Sequence, residues 1–348
     1  MLRQLSRLTR PLPCAGPGAL AVAVYADGAD ELVAARESGF EGVACVDDAA
    51  RLLGLLCRVW KEAPSPAIEG WARGLLEFVL WMQETDGRWV NFVYDWDGRR
   101  NRDGLTSAAG ENFWHARAVA ALSRVWLTFD DARAEAAMTR GFEHLLRSAA
   151  PSDVRTLHMR IALRLIEEAG RADLEPTVRR WADEIVACAA GDVLMNNPDE
   201  RGTPHLWAHV QEGVLADAGV RLNEPALIEV AGRSARALIE PAVGGSFDRP
   251  GTTPYDVASC VFDLDRLAVA SDEATWTELA ARARAWFDER NPAGTAVYDR
   301  DRGRVADGID EGRVSENSGA EANIEAAGVL MEQAVASVVS IEDHPRPP

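Results

Sequence analysis

The sequence SENSGAEANIEAA, residues 315–327, joins an acidic loop to a run of small residues that favours a helix, and Glu321 lies inside that run. Two similar phrases occur earlier in the chain, VDDAARLLGLL at 46–56 and GENFWHARAVAAL at 110–122. Each places a carboxylate and a second Asp or Asn at the start of a helix rich in small residues. Three such starts predict a repeated helical architecture with its functional side chains at one end.

The composition is typical of a soluble globular protein with a large core, because 47% of the 348 residues are hydrophobic and 26% are charged. The formal net charge of -18 argues against binding to nucleic acid or to an anionic membrane. The five cysteines are scattered without metal-binding spacing, which predicts free thiols in a reducing compartment. Since no apolar run is long enough for a signal core or a membrane span, we predict a cytoplasmic protein.

Helical periodicity dominates the chain, with apolar residues at i, i+3, i+4 and i+7 in twelve segments. Short turns alternate with long loops rich in Gly, Asp, Trp and Tyr, and the helices that follow long loops are the more apolar ones. The pattern predicts an all-α fold, an (α/α)6 toroid of about twelve helices, with an α-solenoid as the alternative. The predicted helices are 28–38, 47–62, 66–84, 111–128, 131–149, 153–169, 173–189, 204–219, 223–239, 255–270, 273–289 and 316–340.

Three regions follow from this assignment. We predict a flexible N-terminal arm at 1–22, because its prolines and glycines interrupt any regular pattern. A single toroid domain is predicted over 23–341, followed by a disordered tail at 342–348.

The loop at 85–110 is longer than a simple connection requires. Trp89, Tyr94 and Trp96 alternate there with polar residues, which predicts a small β-hairpin with WDGR as its turn. A similar phrase, VYDRDRGR, recurs at 297–304 and suggests a second copy of the same element. Aromatic rings in these loops could bind sugar rings or could simply pack the hairpin.

Five acids at or near the predicted helix starts are the candidate catalytic residues: Glu321, Glu316, Asp47, Asp48 and Glu111. Cleavage of a glycosidic bond needs two carboxyl groups, one to protonate the leaving oxygen and one to act as a base or nucleophile. Burial among small residues would raise the pKa of an acid such as Glu321, which suits a general acid. Capping of the helix start is the alternative explanation for these acids.

Further polar and aromatic residues near the same loops are candidates for substrate contact, and packing or capping is the alternative for each. They are Trp89, Tyr94, Trp96, Asn112, Trp114, His115, His205, His209, Tyr255, Asp256 and Asn317.

His205, His209 and Glu212 form an H-x3-H-x2-E pattern on the helix predicted at 204–219. Histidines at i and i+4 share one helical face and could bind zinc. Because no HExxH arrangement accompanies them, we predict no metal and no cofactor, and we assign these histidines to sugar hydroxyls or to packing.

With its carboxylate-plus-Asn helix starts, the chain resembles the inner helices of the six-hairpin glycosidase superfamily of (α/α)6 toroids. It is also similar, more faintly, to the helical domain attached to some bacterial glycosyltransferases, where phrases like VDDAAR at 46–51 and ENFWHARA at 111–118 occur. The resemblance covers roughly residues 25–340 and implies a carbohydrate as the substrate or ligand.

Two functional hypotheses follow from the resemblance. The first is a glycoside hydrolase with Glu321 or Glu316 as the acid, and with Asp47, Asp48 or Glu111 as the opposing base. The second is a non-catalytic glycan-binding or scaffold domain that partners a glycosyltransferase. Neither hypothesis fixes the sugar, the linkage or the stereochemical outcome.

Overall fold

The computed structural model describes residues 1–336 and 338. Within this range the chain is built mainly from helices, as predicted. The helices are α1 (Leu2–Leu8), α2 (Val46–Glu62), α3 (Pro66–Trp81), α4 (Phe113–Phe129), α5 (Ala132–Arg147), α6 (Ser152–Ala169), α7 (Glu175–Ala187), α8 (Gln211–Leu222), α9 (Pro225–Gly244), α10 (Pro254–Ala270), α11 (Ala274–Arg284), α12 (Ala320–Val329) and α13 (Met331–Ala336).

Short strands of two or three residues lie in the connections and form two-stranded ribbons. They are β1 (Thr9–Pro11), β2 (Leu20–Val22), β3 (Tyr25–Ala26), β4 (Leu32–Val33), β5 (Ala44–Cys45), β6 (Phe92–Val93), β7 (Ala189–Ala190), β8 (Val193–Leu194), β9 (Tyr298–Asp299), β10 (Arg304–Val305), β11 (Ile309–Asp310) and β12 (Arg313–Val314). The pairs are β1–β2, β3–β4, β5–β6, β7–β8, β9–β10 and β11–β12. The small hairpins predicted in the long loops are therefore confirmed.

The described chain forms two compact units. Unit 1 comprises Met1–Ser148, Asp299–Asp307 and the described part of 315–348, and unit 2 comprises Ala149–Tyr298 and Gly308–Val314. The single domain over 23–341 stays a prediction.

In unit 1, α2 packs against α4 on one side and α12 on the other, and α3 and α5 pack on α2 and α4 respectively. Leu52, Leu53 and Leu56 of α2 are fully buried, as are Val119 and Leu122 of α4. These side chains recur at helical spacing, so burial of the apolar stripe explains the pairing of the two helices.

In unit 2, α8 packs between α6 and α10, while α7, α9 and α11 each pack against α6, α8 or α10. Val214 and Leu215 of α8 and Val261 and Leu264 of α10 are fully buried. The even-numbered helices thus supply the interior of each unit, as the apolar pattern predicted.

The predicted helix at 28–38 is wrong, because this segment forms the β3–β4 ribbon. The carboxylate of Asp27 accepts hydrogen bonds from the N–H groups of Ala29 at 2.9 Å and Glu31 at 3.0 Å. Asp30 adopts a left-handed φ of 63°. Such a side-chain-stabilised turn competes with helix formation.

The flexible arm predicted at 1–22 is also wrong, since these residues form α1 and the β1–β2 ribbon. Leu2, Leu5 and Leu8 are at most 1% exposed, and α1 packs against α12. Their spacing of three residues is a short apolar stripe, and the prolines of the following ribbon hid it from the prediction.

Two helices begin later in the chain than predicted, and both shifts affect candidate site residues. The helix predicted from 204 begins at Gln211, after Ala208 with a left-handed φ of 57°. The last helix begins at Ala320 and is interrupted at Leu330, whereas we predicted it from 316 to 340. The tail predicted at 342–348 lies outside the described residues.

Candidate functional site

The first turn of α2 in unit 1 carries two acids that do not cap the helix. The N–H of Asp48 is accepted by Cys45 Sγ, and the N–H of Asp47 is accepted by the side-chain oxygen of Asn91 at 3.0 Å. The backbone carbonyl of Asn91 accepts from the N–H of Val46. Since these partners satisfy the free donors at the helix start, both carboxylates are available for other contacts.

Arg51 lies one turn further along α2 and binds four carboxylates. Its Nη2 atom lies 2.6 Å from Asp48 Oδ1 and 3.1 Å from Asp47 Oδ2. The same atom lies 2.9 Å from Glu321 Oε2, and Nη1 lies 2.8 Å from Glu325 Oε1. Asp47 and Asp48 lie four and three residues before Arg51 on α2, and Glu321 and Glu325 lie four residues apart on α12, so both pairs can reach the guanidinium. We call these five residues the Arg51 cluster.

The two adjacent acids of α2 differ in protonation. Burial acts to raise the pKa of Asp47, but the guanidinium groups of Arg117 and Arg51 outweigh it and lower the pKa. Arg117, on α4, donates to the Asp47 carboxylate. For Asp48, burial raises the pKa to about 7 against the effect of Arg51, with help from the charges of Asp47 and Glu321. At neutral pH the cluster therefore holds an ionised Asp47 beside a partly protonated Asp48.

The Arg51 cluster is open to solvent on the α12 side. The side chain of Glu321 is 44% exposed, whereas those of Arg51 and Asp48 are 9% and 3% exposed. Asp48 Oδ1 and Glu321 Oε2 bond the same nitrogen, so their separation cannot exceed the sum of these two short distances. A ligand that approaches the cluster meets Glu321 first, and Asp48 lies behind it.

A further acid of this region, Asp307, was not predicted. Asp307 Oδ1 accepts from the N–H of Gly319 at 2.6 Å, and the Asp307 N–H donates to the carbonyl of Asn317 at 2.9 Å. Burial raises the pKa of Asp307 to about 6; the charge of Glu321 adds to this effect, while the Gly319 N–H and Arg304 oppose it. An acid with a raised pKa thus lies next to the start of α12.

Glycine at position 319 permits this close approach. A Cβ atom there would lie 2.7 Å from the carbonyl oxygen of Val24 and 3.1 Å from Cδ1 of Tyr25. Tyr25 packs on a small cluster that includes Cys45 and Phe92, and its hydroxyl donates to the carboxylate of Glu37. The start of α12 is therefore fixed between β3 and the loop that carries Asp307.

Two predicted catalytic acids lie elsewhere in unit 1. Glu111 precedes α4, and its Oε1 lies 3.6 Å from Nδ1 of His144. Glu316 is exposed, and its side chain lies against Gly28. The structure thus brings Asp47, Asp48 and Glu321 together, and among the contacts of the described residues neither Glu111 nor Glu316 joins them.

Trp89 and His115 are interior residues, contrary to their predicted contact with a substrate. Both are fully buried. Trp89 Nε1 donates to the carbonyl of Val79 at 2.8 Å, and His115 Nε2 lies 3.0 Å from the carbonyl of Gly141. Burial lowers the pKa of His115 to about 4. These rings pack the core and fix the helices that carry the site.

The remaining predicted contact residues of unit 1 are half-buried or exposed. Asn112 caps α4 by accepting from the N–H of His115 at 3.3 Å. These residues are Asn112, Trp114, Tyr94, Trp96 and Asn317.

Unit 2 places an imidazole beside an acid and an exposed aromatic ring. His205 Nε2 lies 3.8 Å from Asp153 Oδ2, and its ring stacks on the indole of Trp207 with the centroids 3.8 Å apart. Trp207 is 39% exposed. Burial lowers the pKa of His205, and burial raises the pKa of Asp153 to about 6. This surface therefore offers a neutral imidazole next to a flat apolar face.

A buried network lies behind this surface. His209 Nδ1 lies 2.7 Å from Asn196 Oδ1, and His209 Nε2 lies 3.0 Å from Glu212 Oε2. The Ser234 hydroxyl donates to Glu212 Oε1 at 2.5 Å, and the side-chain amide of Asn196 donates to the carbonyl of His205 at 3.0 Å. We call His209, Asn196, Glu212 and Ser234 the His209 network. All four are at most 1% exposed, so His209 supports the surface loop instead of contacting a substrate as predicted.

Asp263 is a second acid in the interior of unit 2. Its Oδ1 accepts from the N–H of Gly213 at 2.7 Å. Burial, and then the charge of Glu212, raises the pKa of Asp263 well above its usual range. Burial also acts to raise the pKa of Glu212, but His209 and Ser234 outweigh it and lower the pKa. The surroundings therefore favour the charged form of Glu212 and the neutral form of Asp263.

The other predicted residues of unit 2 fill ordinary structural positions. His205 and His209 precede α8, so the shared helical face that we predicted for them is wrong. Tyr255 is 8% exposed, with its ring centroid 6.4 Å from that of Trp207. Asp256 forms a capping box with Thr253 at the start of α10.

Five residues that the prediction missed define the two surfaces: Arg51, Arg117 and Asp307 in unit 1, and Asp153 and Trp207 in unit 2. Arg51 had a usable signal, because an arginine three and four residues after two acids pairs with them on a helix. Asp307 and Asp153 carried none, since their positions depend on contacts distant in sequence.

No protein-family model matches the sequence, and no curated protein does so either. Solved structures do match. A sugar epimerase from a ruminal bacterium superposes with a TM-score of 0.71 at 11% identity, covering 97% of this chain and 96% of that one. The cellobiose 2-epimerase of Spirochaeta thermophila gives 0.70 at 11% identity, with coverages of 97% and 94%. An alpha-mannanase of Bacteroides thetaiotaomicron gives 0.59 at 10% identity, with coverages of 86% and 88%.

These likenesses establish the fold. The chain has the (α/α)6 toroid fold, as predicted. Within residues 1–336 and 338, no helix has the length and apolar character that a membrane crossing needs.

Proposed function

We propose that this protein is a carbohydrate-active enzyme. The proposal is supported by the titles of the structures that share its fold, which describe two sugar epimerases and a mannanase. It is supported also by two solvent-accessible surfaces that combine acids with side chains suited to sugars, the Arg51 cluster and the surface of His205 and Trp207. Aromatic faces and charged hydrogen-bonding groups are what pockets for polar ligands combine.

The reaction we propose is hydrolysis of a glycosidic bond at the Arg51 cluster. The observation that carries it is Glu321, an acid that is 44% exposed and ion-paired with Arg51 at 2.9 Å. Glycosidases need one anionic carboxylate that acts as a base or nucleophile. Since the guanidinium fixes one Glu321 oxygen, the side chain is oriented for this role, and we assign it the carboxylate function instead of the acid function predicted from the sequence.

Asp47 and Asp48 act as positioning residues in this proposal. Asp47 bonds both Arg51 and Arg117, and Asp48 is too deeply buried to touch a sugar. Together they hold the guanidinium of Arg51 toward α12.

Activity on a panel of 4-nitrophenyl α- and β-glycosides and on defined oligosaccharides tests the proposal. We expect the wild type to hydrolyse at least one member, and we expect Glu321→Gln to reduce kcat by about 10²–10⁴-fold, the usual contribution of a positioned base. Glu135→Gln, at an exposed site of α5, is the control and should retain wild-type activity. A wild type that binds oligosaccharides but hydrolyses none would favour the non-catalytic glycan-binding alternative and its glycosyltransferase partner.

A second candidate function is isomerisation or epimerisation of a reducing sugar at His205. It is favoured by the neutral imidazole 3.8 Å from Asp153 beside an exposed indole, and by the two epimerases among the similar structures. A base removes the proton on the carbon next to the carbonyl of the open-chain sugar, and the proton returns at another face or carbon, so that no oxidant is required.

Proton exchange in deuterated water separates this candidate from hydrolysis. Incubation of mannose, glucose or cellobiose in D2O would place deuterium at C2, as NMR detects, if the isomerisation occurs. His205→Asn should abolish that exchange, whereas His144→Asn, on α5 of unit 1, should not. Hydrolysis in the glycoside panel without deuterium exchange would exclude this second candidate.

A further inference from the structure

We infer that Asp307 is the proton donor that completes the reaction proposed for the Arg51 cluster, with Glu321 as its anionic counterpart. This inference rests on the proposed hydrolase function and deepens it by naming the second carboxyl group. The sequence analysis predicted the hairpin that precedes Asp307 but did not name Asp307 among the candidate residues.

The hydrogen bonds of Asp307 leave one oxygen available. Oδ1 is fixed by the N–H of Gly319 at 2.6 Å, and the backbone N–H of Asp307 is fixed by the carbonyl of Asn317 at 2.9 Å. Oδ2 makes no hydrogen bond to any residue that the structure describes, and the side chain is partly exposed. A carboxyl group held by one oxygen with the other open has the geometry that a general acid needs.

The position of Asp307 relative to Glu321 follows from α12. Gly319 immediately precedes the helix, and Glu321 is the second residue of the helix. Asp307 therefore bonds the backbone two residues before Glu321, and the Glu321 charge acts on the Asp307 carboxyl. Two acids thus lie at one helix start, one attached to a guanidinium and the other to a neutral N–H.

Asp307 has no ion-pair partner among the residues that the structure describes. Arg304, on β10, donates to Asp30 at 3.1 Å and to the carbonyl of Glu316 at 3.0 Å, so its guanidinium is engaged elsewhere. Glu321 faces Asp307 from α12 with a negative charge. This environment favours the protonated form of Asp307, whereas the Glu321 carboxylate is ion-paired with Arg51 at 2.9 Å. A carboxyl group without a cation beside an ion-paired carboxylate is an arrangement that suits an acid and its base.

The other acids of this region are less suited to donate a proton to a sugar. Asp47 is bonded by Arg51 and Arg117 and its pKa is lowered. Asp48 is only 2% exposed. Asp307 is the acid near Glu321 that has both a raised pKa and an accessible oxygen.

The proposed step balances without a cofactor. The proton on Asp307 Oδ2 passes to the leaving glycosidic oxygen as the bond from this oxygen to the anomeric carbon breaks. Water supplies the new oxygen on the anomeric carbon, and Glu321 receives the proton that this water loses. Exchange with solvent then returns Glu321 and Asp307 to their starting states.

A leaving-group series on Asp307→Asn tests the inference. Asparagine keeps an oxygen for the Gly319 N–H but cannot donate an acidic proton. The thermal unfolding midpoint of the variant, compared with that of the wild type, checks that the fold is kept. We expect kcat/KM to fall by about 10²–10⁴-fold for a methyl or sugar leaving group, which needs protonation, and much less for 2,4-dinitrophenolate, which does not. Asp301→Asn, at an exposed position of the same hairpin, is the matched control.

The pH profile provides a second readout. Because a general acid must be protonated and the pKa of Asp307 is raised to about 6, wild-type kcat/KM should fall as the pH rises above this value. This fall of kcat/KM at high pH should be absent in Asp307→Asn.

The outcomes distinguish this inference from the function on which it rests. Equal losses for both leaving groups, or no loss at all, in a hydrolytically active protein would overturn the role of Asp307 and leave the hydrolase proposal standing. A wild type inactive on every probe would overturn both. Selective loss on the poor leaving group would support both.

Discussion

The starts of α2 and α8 present two ways of holding acids at the N-terminus of an interior helix. In unit 1 the acids meet on Arg51, and one of them, Glu321, is 44% exposed. In unit 2 Glu212 is bonded by His209 and Ser234, and every member of the His209 network is sealed from solvent. The two helix starts therefore differ in exposure: the Arg51 cluster presents one acid to solvent, whereas the His209 network presents none and serves as internal support.

The largest expected effect comes from removing the cation of unit 1. Arg51→Met leaves Asp47, Asp48, Glu321 and Glu325 without their common partner, two of them on the inner side of the cluster. Breaking a buried ion pair on one side typically destabilises a protein by about 3–5 kcal/mol. We expect a loss of this size in urea unfolding at pH 8, and a smaller loss at pH 5, where protonation relieves the repulsion.

Arg133→Met is the matched control for that change. Arg133 pairs with Glu77 and Asp131 at the surface, and its side chain is 55% exposed. Exposed pairs contribute about 0–1 kcal/mol. Equal losses for the two arginine variants would contradict the distinction between a buried cluster and a solvated pair.

In unit 2, the corresponding change is Glu212→Gln. The side-chain amide of the variant keeps one oxygen for the Ser234 hydroxyl, but it replaces the second carboxylate oxygen, which faces His209, with an NH2 group. A buried hydrogen-bonding group without a partner costs about 1–3 kcal/mol. Urea unfolding should show this loss for Glu212→Gln and only a small change for Glu240→Gln, an exposed position of α9. Stability equal to wild type would show that the network is dispensable.

Gly319→Ala tests the close approach that positions α12. The added methyl would lie 2.7 Å from the carbonyl oxygen of Val24, so β3 or the helix start must move. Overpacking of this kind destabilises by about 1–3 kcal/mol. At Gly70 of α3 a Cβ would meet nothing within 4 Å, and Gly70→Ala should stabilise through helix propensity. Changes of the same sign in both variants would argue against the packing explanation.

The smallest expected effect is that of Asp263→Asn. Because burial and Glu212 raise the pKa of Asp263 in the folded state, its stabilising contribution is present at low pH and is lost as the pH rises toward that pKa. Asn keeps an oxygen for the Gly213 N–H, so the stability of the variant relative to wild type should be greater at pH 8 than at pH 5. The measurement is the free energy of unfolding at both values.

Asp173→Asn is the control for this pH effect. The pKa of Asp173 is lowered, first by its hydrogen bond to Arg171, so this acid is ionised at both pH 5 and pH 8. The difference between Asp173→Asn and wild type should therefore be the same at the two values. If both variants showed the same pH-dependent change in stability relative to wild type, the interaction between Glu212 and Asp263 would not be its cause.

The sequence was sufficient for the fold class because long apolar stripes and alternating loops are local signals. α2, α4 and α10 begin within two residues of their predicted starts. The segment 28–38 failed because the Asp27 side chain stabilises a turn, and that competition is invisible in an average propensity.

The site was harder to predict than the fold. Asp47, Asp48 and Glu321 stood out as acids at helix starts, but the cation that unites them depends on α12 packing against α2. The position of Asp307 depends on a hydrogen bond from the backbone N–H of Gly319, twelve residues away, which the sequence does not reveal. Trp89 and His115 were candidates for substrate contact with packing as the alternative, and their burial, which a single sequence does not report, favours packing.

The most direct test is to compare kcat/KM of Glu321→Gln and His205→Asn on one glycoside that the wild type hydrolyses. We expect a fall of about 10²–10⁴-fold for Glu321→Gln, the contribution of a positioned base. We expect His205→Asn to match the wild type, because that imidazole belongs to the surface of unit 2. Full activity in Glu321→Gln, or its loss in His205→Asn alone, would contradict the assignment of the reaction to the Arg51 cluster.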